Sequence, residues 1–188
     1  MRTLNLKALT LTTAMAAVLF SSPLLAADTA TVPVNVTVQN AITLTNVDPL
    51  DFGSIIAIND AVETATVTVA TNDGITFGTT GAPALTAAAG GTPTAGEITS
   101  AGVVGATINM TLNSVVDPTD GTSTLVLSAF NRDVNGGGST ATTPGTPFTY
   151  TATALDTILI GATITTPASG TQIGDGAYVG SFDLVASY

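Results

Sequence analysis

The stretch TILIGATIT, residues 157 to 165, decides how the rest of the chain is read. Ile158, Ile160, Ala162 and Ile164 fall on one side of an extended chain, and threonine dominates the other. A period of two with one apolar side is the signature of a strand that buries one face and wets the other. Working outward, the same alternation recurs. TATVTVA puts Val67 and Val69 inward, GATINMTL puts Ala106, Ile108, Met110 and Leu112 inward, and PFTYTATA does so with Phe148, Tyr150 and Ala152. GITFG around Phe77, TLVLSAF from Thr124 and AITLTN with Ile42 and Leu44 add further strands. Threonine on the outer faces suits this role, because a β-branched polar side chain fits a pleated surface with one wet side.

Turn residues separate these runs: NDG at 72 to 74, DPTDGT at 117 to 122, NRDVNGGGST from Asn131, and GDG at 174 to 176. Two low-complexity stretches, 81 to 102 and 135 to 147, read as long exposed loops. No helical period is present after residue 27. Eight to ten short strands with one-sided alternation predict an all-β fold, a single immunoglobulin-like antiparallel β-sandwich of pilin-like kind.

The first 27 residues read differently. Arg2 and Lys7, the apolar run ALTLTTAMAAVLF and the small-residue end with Ala26 and Ala27 predict a cleaved signal peptide, 1–27, ahead of a sandwich domain, 28–188. The apolar run is shorter than the roughly 20 residues of a membrane span, and no second run of that length follows. The expected location is the periplasm in transit, then the cell surface or the extracellular space, with no membrane span once the signal is removed.

Two of the chain's three basic residues leave with that segment, while all 13 carboxylates stay. Arg132 alone then faces 13 acids, a net charge of −12. Such a chain cannot neutralise phosphates, so nucleic acid is excluded as a partner. The chain has no cysteine and no histidine. That removes disulfides, the usual ligands of zinc, copper, haem and iron–sulfur clusters, cysteine nucleophiles and the base of a serine triad. No cofactor and no enzymatic activity are expected. Asp117, Asp120 and Asp133 carry oxygen ligands that calcium accepts, but without the spacing of a helix-loop-helix site, and they read as turn caps. Arg132 reads as a residue of a turn beside Asp133, or as an anchor for a carboxylate through its fork of donors.

The two ends carry more. Residues 29–39 alternate without a break, with Val32, Val34, Val36 and Val38 on one face and Thr31, Pro33, Asn35, Thr37 and Gln39 on the other. Pro33 confines such a strand to an edge. This segment is either donated to a neighbouring subunit, completing that subunit's sheet, or folded back as the first strand of its own sandwich. At the other end, Tyr178, Phe182, Leu184 and Tyr188 make a closing strand whose apolar face needs a partner.

VQNAITLTNVDPLDFGSI near the start, GATIT near Ala162 and the closing GAYVGSFDLVASY together resemble the bacterial secreted family catalogued as domain of unknown function 4402. The resemblance rests on an LDFG element (Leu50, Asp51, Phe52, Gly53) and a closing strand with Gly176, Tyr178, Gly180 and Phe182. More loosely the chain is similar to fimbrial subunits of the chaperone-usher type, although Tyr188 is the last residue here and the cysteine pair of many such subunits is missing. The two alternating ends, together with the looser fimbrial resemblance, lead to the expectation of a structural or adhesive surface subunit that self-associates or joins neighbouring pilus subunits by strand donation, with a periplasmic chaperone as a further partner. The alternative is a monomeric exported binding module that recognises a glycan or calcium through its loops.

Overall fold

The computed structural model describes residues 29–38, 41–58, 64–79, 84–87, 91–168 and 173–188. The expected signal peptide, 1–27, lies outside the described residues, as do Gln39 and Asn40. The chain divides into two units, Met1–Thr37 and Val38–Tyr188. In the first, 29–37 form neither strand nor helix. The second is built from strands: β1 (Thr43–Asp48), β2 (Ile55–Ile58), β3 (Ala65–Val69), β4 (Ile75–Thr79), β5 (Ala84–Ala87), β6 (Gly96–Ala101), β7 (Thr107–Thr119), β8 (Val126–Val134), β9 (Thr140–Ala141), β10 (Phe148–Thr151), β11 (Asp156–Thr165) and β12 (Val179–Ser187). Every ladder among them is antiparallel. No helix occurs among the described residues.

The strands form two main sheets and a small β2–β5 ribbon. The larger sheet is organised around β11, which holds the TILIGATIT stretch. One edge of β11 pairs with β6 through Asp156–Ile160 and then with β3 through Ala162–Thr165. Its other edge pairs with β8. Gly161 sits where the first edge changes partner, and a Cβ there would collide with the Val69 carbonyl oxygen. β1 pairs with β6 and ends the sheet on one side. The smaller sheet is β10–β7–β12, with β12 at its edge. Val67, Ile108, Met110, Leu112, Ile158, Ile160 and Ala162 are fully buried at the inner faces, and the sequence alternation placed each of them inward. The fold is the expected all-β antiparallel sandwich.

Three local expectations fail, each for a physical reason. Residues 96 to 101 are no loop: β6 is an inner strand between β1 and β11. Of its inward positions Gly96, Ile98 and Ser100, two are too small or polar to register as a core pattern, and Ser100 accepts a hydrogen bond from the Tyr150 hydroxyl at 2.8 Å. The turn expected at 117 to 122 starts later, because β7 continues through Thr119, while Asp117 Oδ1 accepts the Leu127 N–H of β8. Asn131 to Val134 also belong to a strand, β8, and the turn that follows begins at Asn135, which adopts a left-handed φ of 54°.

Candidate functional site

β1 and β12 are edge strands of different sheets, and among the described residues neither outer edge carries a ladder. They run in opposite directions. β1 starts beside Ala101, its ladder partner at Thr43, and β12 finishes at Ser187, followed by Tyr188, whose hydroxyl accepts the Val103 N–H at 2.9 Å. Call this end of the sandwich the closed pole. At the opposite, open pole β1 leads into Pro49–Gly53, and β12 begins at Val179 after the 174–178 segment.

Between the two edges lies a groove of about 1210 Å³. Its floor is the apolar interior, with Ile98, Leu125, Leu127 and Ile164 reached from the groove. Leu44 lines it from β1, and Phe182 and Leu184 line it from β12. The lining reaches the open pole through Leu50, Phe52 and Tyr178 but stops at Leu44 and Leu184 on the way to the closed pole. The Tyr188–Val103 hydrogen bond spans that closed end, because Val103 belongs to the β6–β7 connection and Tyr188 directly follows β12.

Both motifs behind the resemblance stand on this groove. In Leu50-Asp51-Phe52-Gly53, the Asp51 carboxylate accepts the Gly53 N–H at 2.7 Å, and Gly53 has a φ of 68°, so the chain turns tightly while Leu50 and Phe52 pack on the core. Asp51 also bridges to Thr94 on the backbone. In the closing strand the odd residues are exposed and Tyr178, Phe182, Leu184, Ala186 and Tyr188 are half-buried, four of them packed on the core. Phe182 meets Phe130 edge to face at 5.5 Å. Gly180 is needed where β12 crosses an irregular stretch of β7, since a Cβ there would lie 2.6 Å from the Val116 carbonyl oxygen and 2.8 Å from the Pro118 nitrogen.

The groove is apolar inside and acidic at its rim, where Asp48, Asp51, Asp175 and Asp183 are exposed. Burial pushes the Tyr178 hydroxyl above its ordinary pKa, and the nearby Asp120 charge adds to the rise. Backbone N–H groups of Ser123 and Thr122 hold the Asp120 carboxyl below its ordinary value. Asp117, Asp120 and Asp133 each accept backbone N–H groups, which is a capping role. No cluster of three or more potential metal ligands exists among the described residues. Arg132 lies on β8 rather than in a turn: its guanidinium stands 4.2 Å from the centre of the Phe148 ring and donates to the Ala141 carbonyl and to Thr142 Oγ1, both at 2.9 Å.

Val32, Val34, Val36 and Val38 are 77%, 88%, 81% and 79% exposed. These are four aliphatic side chains on one face of an alternating segment that forms no strand. Sequence reasoning assigns the groove floor to no site: it places Ile164 inward, gives Leu125 and Leu127 no facing, and leaves Ile98 in a stretch that reads as a loop. That two strands would leave them uncovered follows only from sheet order, which no local pattern carries.

No curated protein and no solved structure matches the chain. Residues 42–188 match the family described as Domain of unknown function (DUF4402), and the chain belongs to that family.

Proposed function

We propose that the protein is an exported structural or adhesive surface subunit that assembles into a filament by donating residues 31–39 of one copy to the groove of the next. The observation that carries this reading is the groove itself, an opening between two unladdered edges over apolar core. An edge with free N–H and C=O groups is a template for another strand. Residues 31–38, fully extended, span about 26 Å, close to the roughly 30 Å of the nine residues of β12. In that conformation the four valines project about every 7 Å along one face, toward the groove floor, while Thr31, Asn35 and Thr37 face solvent. The backbone groups of the even residues point to one edge and those of the odd residues to the other. Pro33, which lacks an N–H, therefore interrupts the ladder on one side of the donor and leaves the other side complete.

Because the groove is closed at the Tyr188 pole, the donor enters from the open pole, with Val38 nearest the mouth. It then runs antiparallel to β12 and parallel to β1.

Full-length chains test this. Val34→Asp and Val36→Asp change exposed residues and should leave the sandwich folded, as judged by circular dichroism, while abolishing assembly in sedimentation velocity and fibres in electron microscopy. A fluorescent peptide of residues 29–39 should bind this doubly substituted chain saturably, and a peptide carrying the same two substitutions should not. Unchanged assembly of the double variant, or no peptide binding, overturns strand donation. A wild-type chain that stays monomeric at every concentration, with the peptide still binding the variant, means that the strand folds back on its own molecule.

A further inference from the structure

The closed pole carries two exposed aliphatic side chains on loops that are held in place. Val104, 67% exposed, lies in the 102–106 connection between β6 and β7, and Leu155, 61% exposed, lies in the 152–155 connection between β10 and β11. The two loops are tied to each other by Gly105 N–H to Ala152 O and Ala152 N–H to Ala106 O, both 2.8 Å. The first is further closed by Ala106 N–H to Val103 O at 3.0 Å and by the Tyr188 hydroxyl on Val103 N–H. The second is anchored by the buried Asp156 carboxylate, which accepts Thr153 Oγ1–H at 2.6 Å and Thr153 N–H at 3.0 Å. Solvent-facing aliphatic residues on pre-ordered loops lose little conformational freedom on contact, which suits a docking surface.

This pole is also where β1 begins. If Val38 is seated at the mouth of a neighbour's groove, only residues 39 to 42 separate it from Thr43, and five extended steps span at most about 18 Å. The neighbour's open pole is thereby held against the closed pole of the donor. We propose that Val104 and Leu155 form a second contact between successive copies of this chain, packing against the rim of the groove that receives the donated strand. The occupant is a second copy, because linker length leaves no room for another body between them. This inference rests on the strand-donation reading.

The test separates the two ideas. Val104→Asp with Leu155→Asp, in an otherwise wild-type full-length chain, should raise the concentration at which polymers form by about tenfold or more, the scale expected when two aliphatic side chains lose a buried contact. A Val104→Thr, Leu155→Gln pair, which adds no charge, should shift it in the same direction. In the Val34→Asp, Val36→Asp background, the same pole substitutions should leave the affinity for the 29–39 peptide unchanged, because the peptide lacks the body that the pole would touch. If the peptide does not bind, strand donation itself fails. If the peptide binds and both pole variants assemble at the wild-type concentration, the second contact is wrong and donation stands. If the pole variants weaken peptide binding, Val104 and Leu155 act through the groove rather than between bodies, which also overturns the proposal.

Discussion

Asp156→Ala should destabilise the sandwich by about 3 kcal/mol. Asp156 is fully buried at the start of β11, yet it carries a carboxylate. Its oxygens accept Thr153 Oγ1–H at 2.6 Å, Thr153 N–H at 3.0 Å and Asn135 Nδ2–H at 2.7 Å, while Asn135 Oδ1 accepts Thr157 N–H at 2.8 Å. Two connections, 135 to 139 and 152 to 155, are thus fastened to one side chain. Truncation to alanine orphans the Thr153 N–H and the Asn135 amide, each at about 1–3 kcal/mol, with the lower part of that range favoured because Thr153 is exposed and water can reach it. At roughly 2–4 °C per kcal/mol for a domain of this size, the thermal midpoint should fall by about 6–12 °C. Asp156→Asn keeps the shape and one acceptor, and should cost about 1 kcal/mol. Burial alone would raise the carboxyl's pKa, but hydrogen bonds from Thr153 and Asn135 outweigh it and hold the value below the ordinary one. The folded state therefore binds this proton more weakly than the unfolded chain. The stabilisation is complete above the unfolded value of about 3.9 and is lost as pH falls through the lowered folded value. Followed by far-ultraviolet circular dichroism, the gap between wild type and Asp156→Asn should narrow between about pH 5 and pH 2. An alanine variant within about 0.5 kcal/mol of wild type at neutral pH, a margin typical of neutral surface changes, would refute the reasoning.

Gly180→Ala should cost about 1–3 kcal/mol in the same melts, because the new methyl meets the Val116 carbonyl and the Pro118 nitrogen, backbone atoms with little freedom to retreat. Val34→Ala should weaken binding of the 29–39 peptide by about tenfold, the value of roughly two buried carbons, while Thr37→Ala on the opposite face should change it less than threefold. Tyr188→Phe should speed amide hydrogen exchange at Val103 with a loss of no more than about 1.5 kcal/mol of stability, since one hydrogen bond is removed. With one cation against 13 carboxylates after residue 27, assembly in sedimentation should strengthen as salt rises and screens repulsion between copies.

How far the sequence reaches is clearest in β11 and β6, neighbours in one sheet. β11 was legible because Ile158, Ile160 and Ile164 are large enough to mark one face unmistakably. β6 was not, because Gly96 and Ser100 fill inward positions where close backbone approach and a tyrosine hydroxyl replace apolar bulk. The closing strand was legible face by face, from Tyr178 to Tyr188, and so was its need for a neighbour. Its groove was not, since that feature is a gap between β1 and β12, strands separated by 130 residues. Arg132 shows a further limit: charge pattern suggested a turn, whereas the ring of Phe148, on a strand of the other sheet, determines where the guanidinium rests.

The antiparallel β1–β6 ladder has a mechanical consequence. Tension applied through the residues before Thr43 pulls β1 lengthwise, so the bonds pairing Thr43–Asp48 with Glu97–Ala101 are stressed together in shear rather than opened one by one from an end. β6 in turn passes that force to β11, whose two edges hold two further strands, β3 and β8. A row of such domains under traction would distribute the pull across its widest sheet, and yielding would require many hydrogen bonds to break at once.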